Sequence, residues 1–294
     1  MMDRMRRIGR IGMLVALLTA PSAGPATART DDELRLFPKL DRRGEKVQLL
    51  PAKDRLLKPL LADPEEAQVR VAYGFPGHDD GEQTLDAVLG ANLVLLRWNV
   101  KKHHALDLSI RGLASSRFET RSESFDQMAS DFHVGAAIAW QHELETLELL
   151  IYHESSHLGD ETLDFGKRER FNYSRQAGRL LWSHDTDQWR LYGGGEFNFD
   201  TSPGEINKTV VIRGGVESYF VLGDQDFYTA LDVQVREYND WNANLNAQVG
   251  WFVGPADHDN RPRLFLEAFT GHSTLGQFWD ESETIFSVGL ALGL

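Results

Sequence analysis

Strict alternation of apolar and polar residues is the feature that most constrains this chain. Between Trp241 and Trp251, odd positions carry Trp, Ala, Leu, Ala, Val and Trp, and even positions carry Asn, Asn, Asn, Gln and Gly. A period of two is the period of a β-strand, whose successive side chains point to opposite faces. Twelve such stretches are read: 68–75, 84–98, 103–113, 131–142, 145–157, 171–184, 187–199, 209–221, 226–238, 240–252, 263–272 and 282–294. Long and short connections alternate between most of them. The polar sides include Arg111, Glu148, Arg175, Arg179, Arg190, Glu196, Arg213, Glu217, Asp232, Arg236 and Glu267. Trp98, Trp140, Trp182, Trp189, Trp241, Trp251 and Tyr238 fall near strand ends. An apolar outer face, a polar inner face, aromatic ends and loops of unequal length describe a transmembrane barrel strand set. The expected fold is all-β: a twelve-stranded antiparallel transmembrane barrel of the outer-membrane type. A soluble sandwich also alternates, but it has no need of an aromatic belt or of a closing strand at the C-terminus.

Residues 1–28 read as a secretory signal. Arg4, Arg6, Arg7 and Arg10 precede the apolar run 11–20, and Ala26-Thr27-Ala28 supplies small residues for cleavage. Residues 29–67 read as an irregular periplasmic lead, with Pro38, Pro51, Pro59 and Pro64 breaking regular structure and Leu56-Leu57-Lys58-Pro59-Leu60-Leu61 able to dock in the barrel mouth. Residues 68–294 form the barrel. The expected address is the Gram-negative outer membrane, with its lipids and the barrel assembly machinery as partners.

Charge excludes one class of partner. The chain carries −13, and residues 1–28 hold +3, so the remainder carries −13 − 3 = −16. Nucleic-acid binding needs a basic face. The absence of cysteine removes disulfides and thiol chemistry. Interspersed Arg and carboxylates in a narrow interior are expected to cross-link, which favours a closed barrel over a wide pore.

The densest reactive cluster is Tyr152-His153-Glu154-Ser155-Ser156-His157-Leu158-Gly159-Asp160-Glu161. It supports two incompatible readings. His153-Glu154-x-x-His157 fits the zinc-peptidase pattern, which works only on a helix; on a strand the two imidazoles stand about 13 Å apart, at roughly 3.3 Å per residue. Alternatively, His153 and Ser155 share the lipid face with Leu147, Leu149 and Ile151, at the outer end of the fifth strand. A histidine there takes the proton of a serine that attacks an ester carbonyl. Asn172, of lipid-facing parity on the sixth strand, is the expected orienter of the imidazole. Asp160, Glu161 and Asp164 follow in the loop as candidate Ca²⁺ ligands.

That cluster resembles outer-membrane phospholipase A, a twelve-stranded barrel with a His-x-Ser pair on one strand, an Asn on a neighbour, and calcium. It is also similar to the lipid A deacylases. The resemblance implies His153 as base and Ser155 as nucleophile. Those families continue the pair with Asn, where this chain has Ser156. A wider resemblance, carried by Leu60-Leu61-Ala62-Asp63-Pro64 and Ser155-Ser156-His157-Leu158-Gly159-Asp160-Glu161, is to a bacterial envelope family of unknown function, numbered twelve hundred and seven among such domains; it implies no activity. Three functions remain open: a structural or narrow transport barrel, a hydrolase of acyl esters in outer-leaflet lipid, and a zinc peptidase.

Overall fold

A computed structural model describes residues 47–50, 55–78, 81–101, 104–164, 171–254 and 261–293. The signal segment and most of the lead lie outside these residues. The strands are β1 Val47–Leu49, β2 Gln68–Pro76, β3 Thr84–Lys101, β4 His104–Glu119, β5 Gln127–His142, β6 Glu145–Leu158, β7 Tyr173–Asp185, β8 Trp189–Ser202, β9 Val210–Leu222, β10 Gln225–Arg236, β11 Asn242–Phe252, β12 Arg263–His272 and β13 Ser282–Gly293. A single helical turn, α1 Asp160–Asp164, follows β6.

Strands β2 to β13 pair antiparallel with their sequence neighbours, and β13 pairs with β2, which closes a twelve-stranded barrel. Closure removes every free strand edge, and edges cannot be solvated in hydrocarbon. Facing follows the alternation. Leu108, Ile110, Phe286, Val288 and Leu290 are exposed outward, whereas Asp107, Ser109, Arg111 and Ser287 are buried inward. All eleven charged residues expected in the lumen are buried there. The short connections β3–β4, β5–β6, β7–β8 and β9–β10 gather at one end with the start of β2 and the longer β11–β12 connection, and the remaining loops, led by β6–β7 and β12–β13, gather at the other.

Three expectations are corrected. Strands β4 and β5 run to Glu119 and from Gln127, well into the stretch read as a loop. Their polar extension is held by Ser116 against Ser130 and by Arg117, which bonds Asp86 (2.7 Å) and Glu283 (2.6 Å). Alternation cannot report a hairpin whose two faces are both polar. Tyr238 does not join the aromatic belt; it sits in a 3-10 turn, with Trp279 edge-on at 6.0 Å and the Arg236 guanidinium over its ring. Trp98, Trp140, Trp182, Trp189 and Trp251 do lie outward at the short-turn end, and Trp241 at the other. Finally, three-residue β1 was not foreseen. It pairs with Leu96–Trp98 of β3, below the point where β2 stops covering that long strand.

Ahead of β2, residues 55–67 lie in the lumen. Leu56, Leu57, Leu60, Leu61, Ala62, Asp63, Glu66 and Ala67 are all buried. Gly90 admits this passage: a Cβ there would meet Leu113 Cβ at 2.8 Å and the Ala67 Cα at 3.0 Å. The backbone of the segment is satisfied by wall side chains, since Leu61 N donates to Glu217 (2.8 Å), Arg190 donates to Pro59 O (2.9 Å) and Asn246 donates to Ala62 O (2.8 Å). Its acidic end is clamped by arginines. Asp63 meets Arg213 at 2.8 Å, Glu65 meets Arg213 at 3.0 Å and Arg236 at 3.3 Å, and Glu66 meets Arg55 at 2.6 Å and Arg111 at 3.3 Å. Two cavities left beside this plug measure about 30 and about 20 Å³, room for one or two waters each.

Candidate functional site

The upper end of β6 carries two different sites on its two faces. His153 and Ser155 point outward, whereas Tyr152, Glu154 and Ser156 point into the lumen. Register decides the neighbours. On β5, Phe132 faces Ser155 and Val134 faces His153; on β7, Ser174 faces Ser155 and Gln176 faces His153. The Gln176 amide nitrogen, Nε2, lies 3.5 Å from His153 Nδ1.

Asn172 is not brought to His153. It precedes β7, beyond the last pair, Ser156 with Tyr173, and its carbonyl accepts a hydrogen bond from Ser202 Oγ (2.9 Å). Four residues, about 13 Å of extended chain, separate it from the position level with His153. Asn172, Ser174 and Gln176 share parity, so alternation cannot choose between them; the register of β6 with β7 does. Gln176 is the amide that the structure places beside His153, and the sequence did not single it out.

The zinc arrangement is also absent. His153 and His157 stand on one strand with Glu154 turned to the opposite face, so the helical face required by that motif does not exist. Asp160 and Glu161 form the first turn of α1, and the side chain of Asp164 lies outside the described residues. Calcium takes six to eight oxygens, and Asp160 and Glu161 belong to no cluster of three close donors among the described residues.

Behind the outward pair, the lumenal face is sewn to the β12–β13 loop. Ser156 Oγ donates to Asp131, and Gly276 N donates to the other Asp131 oxygen (2.9 Å). Gln277 N donates to Ser156 Oγ (3.0 Å), while its side-chain amide donates to Ser156 O (2.9 Å) and Phe171 O (3.1 Å). This loop fastens β6 to the approach of β7, the two strands that carry His153 and Gln176. Asp131, His133 and Glu154 hold donor atoms within 4.8 Å of one another. The two carboxylates are already committed, Asp131 to Ser156 and Gly276 and Glu154 to Arg175 Nε (2.8 Å), while His133 stands 3.8 Å from Glu154. The cluster is a brace for the wall.

Gly276 touches Tyr173 and Ser156 so closely that an added Cβ would lie 2.5 and 2.7 Å from them. Gly276→Ala is therefore expected to destabilise the barrel by about 1–3 kcal/mol through overpacking. It should also expose the 273–281 loop to proteases; urea midpoints and limited proteolysis measure both effects.

Comparison with known proteins places the chain. A family model described as protein of unknown function (DUF1207) matches residues 43–293. The chain belongs to this family. No curated protein matches the sequence. Among solved structures it is similar to outer membrane phospholipase A from Escherichia coli, with TM-score 0.53 and 12% identity over 80% of this chain and 93% of that one. It is also similar to the Salmonella typhi outer membrane phospholipase dimer with bound calcium, with TM-score 0.55 and 12% identity over 77% and 91%. A KdgM porin matches at TM-score 0.44 and 9% identity over 77% and 99%. At these identities the likeness concerns the barrel fold alone.

Proposed function

We propose that this family member is an outer-membrane enzyme that hydrolyses acyl esters of outer-leaflet lipids, with Ser155 as nucleophile, His153 as base and Gln176 as the group that orients the imidazole. The observation that carries this reading is the lipid-facing row at the long-loop end, where an amide side chain stands beside His153 Nδ1 and a serine lies one pleat away on the same face. With the long loops outward, as in bacterial barrels, the row stands at headgroup depth. Below it, Gly178 faces Ile151, and a Cβ on Gly178 would meet nothing within 4 Å. An acyl chain descending from Ser155 has open space there.

The chemistry follows ordinary acyl transfer. Ser155 Oγ attacks the ester carbonyl as His153 Nε2 takes its proton. The proton passes to the departing alcohol, and water, deprotonated by the same imidazole, releases the fatty acid from Ser155. Asp160 and Glu161 alone do not make a calcium site, so no step depends on one. The plug argues against the transport reading, because the lumen it fills holds buried ion pairs. A sealed, non-catalytic barrel is the reading that remains if the serine is inert.

The test is fatty-acid release from phospholipid and lipopolysaccharide micelles by the refolded barrel, with Ca²⁺ and with chelator. It is read beside covalent labelling by a serine-directed fluorophosphonate. Release together with label mapped to Ser155 supports the proposal; a folded barrel that neither releases nor labels ends it. Gln176→Ala is expected to lower kcat about 10- to 100-fold with little change in KM, since an unoriented imidazole loses general-base efficiency.

A further inference from the structure

A β-bulge lies beside the proposed site and changes what stands next to Gln176. Strands β7 and β8 pair Ala177 with Asn198 but Gln176 with Asp200, so Phe199 is the extra residue. In an unbroken ladder Gln176 would face Phe199. The bulge sets two successive residues, Phe199 and Asp200, against it. Both are exposed, while Asn198 is fully buried. A row across three strands results: His153 on β6, Gln176 on β7 and Asp200 on β8. Directly opposed residues of an antiparallel pair have Cβ atoms about 4.5–5.5 Å apart, within reach of a carboxylate and a carboxamide.

A primary amide donates at one end and accepts at the other. Left alone beside an imidazole, it has no reason to present its oxygen. We propose that Asp200 is a positioning residue for the reaction: its carboxylate accepts Gln176 Nε2–H, which turns Oε1 toward His153 to accept Nδ1–H. The structure has Nε2 as the end nearer Nδ1, and rotation of the amide about its last torsion exchanges the two ends without moving the backbone. The imidazole is then held in the tautomer whose Nε2 lone pair is free for the Ser155 proton. The bulge is the structural device that makes this possible, because it sets an acidic residue beside Gln176 in addition to the aromatic one.

This inference rests on the hydrolase reading. The experiment uses the refolded full-length barrel on phospholipid micelles and compares wild type with Asp200→Asn, Asp200→Glu, Gln176→Ala and the Asp200→Asn/Gln176→Ala double variant. Asp200→Asn is expected to lower kcat about tenfold with KM unchanged, and Asp200→Glu to recover most of that loss. The double variant should be no slower than Gln176→Ala alone, because the carboxylate acts through the amide. An active wild type with Asp200→Asn at full kcat, or with losses that multiply in the double variant, overturns the positioning role and leaves the hydrolase. A wild type that releases no fatty acid overturns both.

Discussion

Ser155→Ala is expected to cut fatty-acid release at least about 1,000-fold, with KM for micellar substrate little changed. The hydroxyl makes no contribution to binding that an alanine methyl would forfeit, and its loss removes the covalent route altogether. His153→Ala should cost nearly as much, and the double variant no more than either, because groups that act as one unit are not additive. Two neighbours supply the contrast. Ser156→Ala leaves the outward face intact but deletes a hydroxyl bonded to Asp131 and to Gln277 N. It should destabilise the barrel by about 1–3 kcal/mol, the cost of unsatisfied buried partners, while kcat stays near wild type. His157→Ala should leave activity in place, because His157 stands a further pleat beyond Ser155 on the same face. If His157→Ala were as damaging as Ser155→Ala, the assignment of the pair would be wrong. Initial rates on folded, heat-modifiable barrel are the measurement.

The barrel was legible because membrane and lumen impose opposite solvents on alternate residues. Leu231, Val233 and Val235 against Asp232, Gln234 and Arg236 state the pleat directly, and each takes the face that its polarity requires. Where that contrast vanishes, legibility vanishes with it. At the end where β4 meets β5, Ser115, Ser116 and Arg117 continue β4 with polar residues on both faces, so alternation does not mark where the strand stops. The site was half legible for a related reason. Parity put His153 and Ser155 on one face, but register is a property of two strands and the loop between them. The 159–172 connection carries no period, so the sequence alone does not say whether Asn172, Ser174 or Gln176 stands level with His153. The bulge at Phe199 is a single-residue insertion in a ladder, invisible to a pattern that tolerates a phase change at every loop. Sequence also offered the lead as a segment able to dock. Which carboxylate meets which wall arginine depends on four strands, β4, β7, β9 and β10, brought together by closure.

Those arginines give the second large effect. Glu65→Gln is expected to destabilise the folded barrel by about 3–5 kcal/mol, because it takes a carboxylate from three buried guanidiniums at once: from Arg236, and from Arg213 and Arg175, which keep Asp63 and Glu154. Glu65 stands 3.0 Å from Arg213, 3.3 Å from Arg236 and 3.9 Å from Arg175, and an amide cannot neutralise any of them. Acid should act on the same place. Burial alone would raise the Glu66 carboxyl, but the Arg111, Arg55 and Arg179 guanidiniums outweigh it and hold the group down to about 2, against an ordinary 4.5. A carboxylate depressed by folding contributes stability that is complete above the unfolded value and is lost as pH falls through the folded one. The loss from Glu66 therefore runs from about pH 4.5 to about pH 2 and is on the order of 3 kcal/mol. Glu65 is depressed as well, by Arg236, Arg213 and Arg175 acting against its burial, and adds to the loss in the same direction. Urea unfolding of wild type and Glu65→Gln at pH 7 and pH 3 measures both effects. Wild type should lose stability on acidification, and the variant should begin lower at pH 7 and lose less, since one titrating partner is already gone. Equal midpoints at pH 7 would mean that residues 55–67 do not occupy the lumen of the folded protein in a membrane. The buried arginines of β4, β7, β9 and β10 would then face water along an open bore.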